Sequence, residues 1–349
     1  MPTRVSGLRF VGVLAALIAS ILLAVLAAPI TAVPAAAQGE TERLTVYSGR
    51  SEGLMGALFA RFTEETGIQL DVRYGGTAEM AATILEEGAN SPADVYIAQD
   101  AGALGALAAE GRLRRLPSDI LERVPSQFVS ASGNWVGISG RVRVLAYNTA
   151  QVSPDQLPAS ILDLTDPAWR GRVGWAPSNG SFQAHVTAMR VLLGEDATRD
   201  WLRGMLANDV RSYANNNAIV QALGVGEVDA GLVNHYYILA FARQTPGFPV
   251  AIHYFPAGDP GSLVNIAGAG ILDTSRRPGL AQRLILYLLG EEAQRYFVEA
   301  TNEYPLIASV EAGPDLVPLS QIEAPAIDLN TLDDLRGTLE LLRETGALP

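Results

Sequence analysis

The sequence contains no cysteine and no lysine, and these two absences exclude several kinds of chemistry. Without cysteine the chain can form no disulfide and carries no lipid-modified N-terminal cysteine. All 25 basic residues are arginine, so no lysine is available as a nucleophile or for a Schiff base. The three histidines, His185, His235 and His253, lie far apart and show no metal-ligand spacing.

Several common enzyme motifs are also missing, and so are basic stretches. There is no P-loop, no His-Glu-x-x-His sequence and no zinc spacing, so we expect a protein that is not an enzyme. The formal net charge is −12, and no basic stripe occurs anywhere in the chain. Nucleic acid is therefore excluded as an expected partner.

The N-terminal segment has the features of an export signal. Arg4 and Arg9 precede a long apolar run, and small residues follow at Pro34-Ala35-Ala36-Ala37. We expect residues 1–37 to be a cleavable signal peptide. Nothing later in the sequence has the unbroken apolar length of a spanning helix.

The remaining chain alternates between short apolar runs and amphipathic stretches. Residues 44–47, 68–74 and 93–97 are typical of strands, and helical periodicity follows each of them. Two further strands are predicted at 135–138 and 142–147, and the alternation then resumes from residue 173. This pattern predicts an α/β protein with two domains, each a largely parallel sheet with helices on both faces.

The stretch Asn234-His235-Tyr236-Tyr237 follows the apolar run 230–233, which has the pattern of a buried strand. Loops at strand ends carry binding sites in α/β sheets, and at a strand-to-helix junction two adjacent phenols can turn toward one point. A bound, highly charged cation can displace a phenol proton, and phenolate oxygen suits a hard cation such as Fe(III). The structural alternative is an aromatic pair that caps a helix against the core.

Six short motifs along the chain resemble those of one known family, the periplasmic ferric-ion-binding proteins of ABC iron importers. They occur in the family's order and spacing, and the resemblance covers the chain from about Leu44 to its end. The motifs are Val46-Tyr47-Ser48-Gly49-Arg50, Pro92-Ala93-Asp94-Val95-Tyr96, Ser139-Gly140-Arg141-Val142-Arg143-Val144, Ala214-Asn215-Asn216, Asn234-His235-Tyr236-Tyr237 and Glu303-Tyr304-Pro305-Leu306.

The resemblance implies a metal site made of tyrosines. Tyr236 and Tyr237 would be Fe(III) ligands, and Tyr147 matches a third tyrosine that some members use. The best-known members carry a histidine and a glutamate where this sequence has Ser51 and Gln99, which cannot replace them as strong ligands. This difference favours the tyrosine-rich branch of the family, with Ser51, Gln99 and Tyr47 as further cleft contacts.

A second expectation concerns a synergistic anion: carbonate or bicarbonate, with phosphate or citrate as alternatives. Arg50 and Arg141 lie in predicted strand-end loops, and guanidinium groups grip carboxylate-like anions bidentately. The resemblance also places both arginines near the anion. The loop Asn179-Gly180-Ser181 precedes a helix, whose N-terminus attracts anions, and relatives use this loop and the position of Asn216 as anion contacts.

The family's architecture is a two-lobed periplasmic-binding-protein fold of type II. Each lobe is a mixed, mostly parallel sheet flanked by helices, and a two-strand hinge joins the lobes. On this chain the N-terminal lobe would comprise residues 38–142 and about 265–300. The C-terminal lobe would comprise residues 143–264 and about 301–349.

The expected role is that of a periplasmic solute-binding protein that works as a monomer. It would capture Fe(III) in the interlobe cleft and deliver it to an ABC permease with a cytoplasmic ATPase. The alternative is a binding protein of the same fold for an organic or phosphorylated solute, such as thiamine, a phosphonate or a sugar phosphate. The same arginines would serve that role, with the tyrosines stacking or hydrogen-bonding instead of ligating a metal.

Overall fold

The structure, a computed structural model, describes Met1 and residues 42–349. The expected signal peptide, residues 1–37, therefore lies outside the described residues apart from Met1. Over the part of the chain that the structure describes, no helix combines the length and the apolar character needed to cross a membrane.

Nine strands and eleven helices alternate along the described chain. The strands are β1 (Arg43–Ser48), β2 (Gln69–Tyr74), β3 (Val95–Ala98), β4 (Trp135–Asn148), β5 (Val173–Trp175), β6 (Arg211–Ser212), β7 (Ala230–Asn234), β8 (Val250–His253) and β9 (Val264–Ile271). The helices are α1 (Glu52–Thr66), α2 (Thr77–Glu87), α3 (Ala101–Ala109), α4 (Ser118–Leu121), α5 (Gly180–Leu193), α6 (Glu195–Ala207), α7 (Asn216–Gly224), α8 (His235–Gln244), α9 (Pro278–Leu288), α10 (Glu291–Glu299) and α11 (Leu335–Thr345).

The strands form one mixed sheet in the order β2-β1-β3-β9-β4-β7-β5-β6, with β8 paired to β4. The outer pairs are parallel, whereas β9, β4 and their neighbours run antiparallel. The first part of β4 pairs with β9 and its last part pairs with β7 and β8. We call β2, β1, β3, β9 and the start of β4 the first half-sheet, and the end of β4 with β5 to β8 the second half-sheet. The α/β class, with a mixed sheet flanked by helices, is confirmed.

Strand β4 differs from the sequence-based expectation of two strands at 135–138 and 142–147. It is one buried strand of 14 residues. A register shift between Gly137 and Ser139 lets its pairing with β9 continue through the expected break. At Gly140 the strand also forms a bridge to Tyr304, and an added Cβ there would lie 3.1 Å from the Tyr304 side chain. A glycine at this point reflects close packing, which sequence pattern alone presents as a loop.

The apolar core follows the division into half-sheets. One large buried cluster, containing Phe62 and Trp135, packs around the first half-sheet. Two smaller clusters pack on the second half-sheet, one containing Trp175 and the other Val144. Because β4 contributes to all three clusters, it fixes the two half-sheets relative to one another where they meet.

The C-terminal segment contacts both halves of the molecule. The 3₁₀ turn Leu329–Leu332 packs on α3, where an added Cβ at Gly102 would lie 2.5 Å from the Leu332 carbonyl oxygen. Helix α11 then packs on α5, and the hydroxyls of Thr187 and Thr338 lie 2.7 Å apart. Gly102 is therefore needed for close approach, because a methyl group there would displace backbone.

We expect Gly102→Ala to lower the free energy of unfolding by about 1–3 kcal/mol, the usual cost of forcing extra volume into a packed contact. The matched control is Gly279→Ala in α9, where an added Cβ meets nothing within 4 Å. Alanine is the better helix former, so the control should gain up to about 1 kcal/mol. Denaturant titration measures both, and equal effects of the two substitutions would contradict the packing argument.

Candidate functional site

The tyrosine pair lies where β7 passes directly into α8. Asn234 ends the strand, and Tyr236 and Tyr237 are the second and third residues of the helix. Their ring centroids are 4.3 Å apart with an interplanar angle of 37°. In the first turn of a helix the strand's alternation no longer applies, so neighbouring side chains can face the same region. Tyr236 is 1% exposed and Tyr237 is half-buried.

Gln99 joins the pair to the first half-sheet. It follows β3, and its Nε2 donates to the hydroxyl of Tyr236 at 2.6 Å and lies 3.3 Å from that of Tyr237. Asn234 Nδ2 also donates to the Tyr236 hydroxyl, at 3.2 Å. Two phenol oxygens from the second half-sheet therefore meet one amide nitrogen from the first. The two half-sheets are in contact across the site, which is the geometry of a closed cleft.

The surroundings keep Tyr236 protonated in the absence of a cation. Burial raises the pKa of Tyr236 well above its ordinary value, and Tyr237 and Glu303 act in the same direction. Arg141 and Arg50 act in the opposite direction, because their positive charges favour the phenolate. A cation bound at this hydroxyl would have to displace the proton, and the nearby guanidinium groups would assist it.

His235, between the strand and the tyrosines, points away from the pair. Its Nδ1 accepts the backbone N–H of Val142 at 3.2 Å, which leaves Nε2 to donate to the Asn302 carbonyl at 2.8 Å. Burial lowers the pKa of His235 to about 4, so the ring is neutral at physiological pH. The imidazole thus fixes the start of α8 and offers no free nitrogen to a ligand.

Arg50 is already paired with a carboxylate. Its Nη1 and Nη2 bind Glu303 at 2.9 and 2.5 Å, and Nη1 also donates to Ser139 Oγ at 3.2 Å. Both side chains are fully buried. Burial acts to lower the pKa of Arg50, but Glu303 more than offsets it and the pKa lies above its ordinary value. In this geometry Arg50 is a structural partner of Glu303, and the Glu303 carboxylate largely neutralises the positive charge of Arg50.

Arg141 has no such partner. It is 1% exposed, and Nε, Nη1 and Nη2 all lack a hydrogen-bond partner among the described residues. Burial lowers the pKa of Arg141, while the nearby Tyr236 and Asp100 raise it. Buried polar groups are normally hydrogen-bonded, so a guanidinium with three unpartnered nitrogens indicates a place for an acceptor.

Arg143 ties the polar loops of the second half-sheet together. Its Nη1 lies 3.3 Å from the side-chain oxygens of both Asn216 and Asn234, and its Nη2 donates to the Leu232 carbonyl at 2.8 Å. Burial, and to a lesser extent the positive charge of Arg141, lower the pKa of Arg143 to about 9. The side chain supports the loops and adds positive charge behind the tyrosines.

The N-terminus of α5 adjoins this network. Asn179 caps the helix by accepting the Ser181 N–H at 3.0 Å, and Asn216 Nδ2 donates to the same oxygen at 3.3 Å. Asn234 Nδ2 donates to Ser181 Oγ at 3.1 Å. Four of the residues expected at an anion site, Asn179, Gly180, Ser181 and Asn216, are thus brought together with Asn234.

Tyr147 is not brought to this cluster. In the β4–β7 pairing Arg143 lies opposite Asn234, whereas Tyr147 lies opposite Ala230. Tyr147 therefore lies four residues along β4 from the position opposite Asn234, which is about 13 Å at the usual rise per residue. The Tyr147 ring instead belongs to an apolar cluster of the second half-sheet. Tyr147 and the tyrosine pair belong to the same half-sheet, so a hinge motion between the half-sheets would not bring them together.

Two other residues, Tyr47 and Ser51, were expected as cleft contacts. The Tyr47 hydroxyl donates to Glu87 at 2.8 Å and its ring lies under the Arg73 guanidinium. Ser51 is an exposed residue at the start of α1. It stands in Gly49-Arg50-Ser51-Glu52-Gly53, the spacing of hydrolase nucleophiles, but its φ of −63° is unstrained. Each of the three histidine side chains hydrogen-bonds to other residues.

Several residues of the cluster were not expected from the sequence. Arg143 could have been found, because it follows Arg141 by two positions on a strand and must share its face. Asp100 caps α3, and its Oδ1 accepts the Ala103 N–H at 2.9 Å. Glu303 begins one of the six motifs, but its pairing with Arg50 could not be recognised, since Arg50 lies 253 residues earlier.

The donor set limits what this site can bind. Among the described residues no group of three or more His, Cys, Asp or Glu side chains could hold a metal ion. Phenol oxygens, amides and guanidinium groups remain, which suit a hard cation together with an oxyanion. The same groups could also surround a small anionic organic molecule.

Comparison with known proteins gives one consistent result. A family model described as "Bacterial extracellular solute-binding protein" matches residues 90–329. The "Fe(3+)-binding periplasmic protein" of Serratia marcescens is 34% identical over 90% of this chain and 93% of its own. The "Major ferric iron-binding protein" of Neisseria meningitidis is 35% identical over 94% and 98%.

Among solved structures, iron-bound HitA from Pseudomonas aeruginosa superposes with a TM-score of 0.84 at 36% identity. The match covers 87% of this chain and 99% of that protein. Both the sequence family and the fold are therefore shared over most of the chain. This protein belongs to the bacterial extracellular solute-binding protein family.

Proposed function

We propose that this chain is the periplasmic solute-binding component of an ABC importer and that its cargo is Fe(III). The observation that carries the proposal is the meeting of the Tyr236 and Tyr237 hydroxyls at Gln99 Nε2. Two phenol oxygens at one point, with cationic groups behind them, favour a hard trivalent cation. Relatives at 34–35% identity bear names that refer to ferric iron.

The proposed metal ligands are Tyr236 and Tyr237, both as phenolates. We leave Tyr147 out of the ligand set because of its distance along β4 and its apolar surroundings. Two phenolates do not neutralise a trivalent ion, so a bound anion such as carbonate or bicarbonate would complete the site. This anion would also supply the oxygen ligands that Gln99 and Ser51 cannot.

The proposed anion site is centred on Arg141. Its three unpartnered nitrogens support this role, whereas Arg50 is engaged by Glu303. The N-terminus of α5, from Asn179 to Ser181, would provide backbone N–H groups. Arg143 and Asn216 would then hold the surrounding loops and would not contact the anion directly.

Binding would be coupled to closure of two lobes. We propose an N-terminal lobe of residues 38–142 and about 265–300, and a C-terminal lobe of residues 143–264 and about 301–349. The long strand β4 and its partner β9 pass between the two half-sheets and would form the hinge. Iron held by the tyrosines of one lobe would draw the other lobe across, because the ligand favours the closed state.

The closed, loaded form would dock on a membrane permease served by a cytoplasmic ATPase. The protein itself would act as a monomer in the periplasm and catalyse no reaction. Protonation of the phenolates and of the anion, or reduction of the iron, would favour release.

The absorption spectrum distinguishes iron from an organic solute. A phenolate–Fe(III) site gives a visible charge-transfer band when ferric citrate is added to the purified protein, and an organic or phosphorylated solute does not. Absence of a band, together with tight binding of thiamine, a phosphonate or a sugar phosphate, would replace the proposal with the alternative.

We expect Tyr236→Phe to remove most of the visible band and to weaken iron binding by at least about 100-fold. Its hydroxyl is the more deeply buried of the pair, and losing a charged ligand in a desolvated site costs several kcal/mol. Titration with ferric citrate, followed by absorbance, measures both effects.

Tyr147→Phe is the matched control for this substitution. It removes a hydroxyl from the same half-sheet, but at a position about 13 Å along β4 from the residue opposite Asn234. We therefore expect an unchanged band and unchanged affinity. Loss of the band in this control, with the band retained in Tyr236→Phe, would reverse the ligand assignment.

We expect Gln99→Ala to shift the iron-free protein toward a more open form. The substitution removes the contacts from Nε2 to both tyrosine hydroxyls, which join the two half-sheets. Small-angle X-ray scattering should report a larger radius of gyration than for wild type, and added iron should reduce the difference. The exposed Gln221→Ala is the control. Identical scattering from both variants would show that Gln99 does not hold the cleft closed.

A further inference from the structure

The C-terminal segment changes from one half-sheet to the other over a short length of chain. Leu329 and Leu332 belong to the buried cluster around the first half-sheet. Leu341 and Leu342, on α11, belong to a buried cluster of the second half-sheet. We call residues 329–338, which contain the change, the strap.

The first part of the strap lies directly on α3. An added Cβ at Gly102 would lie 2.5 Å from the Leu332 carbonyl oxygen, and one at Gly105 would lie 2.8 Å from Asp333 Cβ. Residues three apart share a face of a helix, so the two glycines together leave a surface that the strap backbone can approach closely. The strap is therefore held by the first half-sheet as far as Asp333.

The second part of the strap is held by α5. Arg190 donates from Nη2 to Asp334 Oδ2 at 2.8 Å and from Nη1 to the Asp334 carbonyl at 3.2 Å. The Thr338 hydroxyl accepts from Arg190 Nη1 at 3.0 Å and lies 2.7 Å from the Thr187 hydroxyl. Arg190 and Thr187 both belong to α5, so the second half-sheet holds the strap from Asp334 onward.

The two anchors meet at consecutive residues. Asp333 lies on α3 and Asp334 binds α5, and the Cα atoms of neighbouring residues are only about 3.8 Å apart. Helix α5 also touches the first half-sheet here, because its Ala188 belongs to that buried cluster. At this point α3 and α5 cannot move far apart unless one anchor breaks.

A rotation of the half-sheets keeps both anchors, whereas a separation does not. Detaching the strap from α3 would bring Leu329 and Leu332 into water, and they are now 5% and 0% exposed. Exposure of buried apolar side chains is unfavourable. A rotation about the strap leaves these side chains in place, so it is the favoured way for the cleft to open.

We propose that the strap is a further connection between the two lobes, besides β4 and β9, and that it acts as a pivot. When the cleft opens, α5 rotates against α3 while their separation beside Asp333 and Asp334 stays constant. Residues 329–333 then move with the N-terminal lobe. The inference rests on the proposed closure of the lobes and is independent of the cargo.

The pivot matters for binding because it confines the open state. A cleft that opens only by rotation about a fixed point closes along the same path. Gln99 is thereby returned to the hydroxyls of Tyr236 and Tyr237 each time the lobes close.

Distances between pairs of spin labels test the pivot. The chain has no cysteine, so labels attach only where cysteine is introduced. One pair, Glu64→Cys with Gln221→Cys, is on exposed residues of α1 and α7, away from the strap. The other pair, Ala109→Cys with Val191→Cys, is on exposed residues of α3 and α5, beside it. Pulsed electron–electron double resonance of the iron-free protein is measured with and without Gln99→Ala.

We expect Gln99→Ala to lengthen the distance between the α1 and α7 labels by more than about 2 Å, the scale of a domain rearrangement. The distance between the α3 and α5 labels should stay within about 1 Å of its original value. Lengthening of both distances together would show that the strap detaches on opening, and the pivot would be overturned.

Lengthening the link between the anchors should release the pivot. Insertion of Gly-Gly between Asp333 and Asp334, in the Gln99→Ala protein, should broaden and lengthen the distribution between the α3 and α5 labels. The control is the same insertion between Glu311 and Ala312, two exposed residues before the strap. It should leave that distribution unchanged, and thermal unfolding checks that both proteins are folded.

An unchanged α3–α5 distribution in the folded strap insertion, while the α1–α7 distance responds to Gln99→Ala, contradicts the pivot and leaves lobe closure standing. If neither Gln99→Ala nor the insertion changes any distance, lobe closure and the pivot both fail. The ferric band is a separate measurement. A band with fixed distances retains the iron assignment, and a moving pivot without a band contradicts only that assignment.

Discussion

The central constraint on this molecule is the burial of three guanidinium groups near two carboxylates, Glu303 and Asp100, of which only Glu303 forms an ion pair with one of them. Arg50, Arg141 and Arg143 are at most 2% exposed, and Glu303 pairs with Arg50 alone. Buried charge without a partner is unfavourable, so the remaining positive charge has to be balanced by negative charge brought or created at the site. On the proposed function, phenolate formation and binding of an anion would both provide it. The site would then be incomplete without its ligands, and ligand binding would relieve an electrostatic cost that folding leaves in place.

The fold explains how this charge would be held during the proposed closure. Arg141 and Arg143 lie on β4, which belongs to both half-sheets and so would remain at the centre in either state. The tyrosines come from the end of β7, and Gln99 comes from the end of β3. A ligand that contacts all three elements binds the closed arrangement better than the open one, which is all that a population shift requires. No strained backbone or reactive group is needed for such a role.

Local sequence patterns predicted much of this arrangement, but they could not predict the contacts between residues that lie far apart in the chain. The run 230–233 and the two tyrosines after it placed a site at a strand end, where the structure brings both hydroxyls together. Tyr147 was expected at the site because motif spacing does not record how far a strand runs past its neighbour, and the β4–β7 register places it four residues away. Arg50 was expected to hold an anion because Glu303, 253 residues later, could not be recognised as its partner.

Resonance Raman spectroscopy of the iron-loaded protein, excited within its visible band, tests the central claim most directly. The account predicts enhanced ring vibrations of coordinated tyrosinate, because the band would be a transition from phenolate to Fe(III). A loaded protein with a visible band but no tyrosinate vibrations would show that the iron is held by other groups. The tyrosine pair would then be part of the packing of α8, and the assignment of the cleft as a phenolate iron site would be wrong.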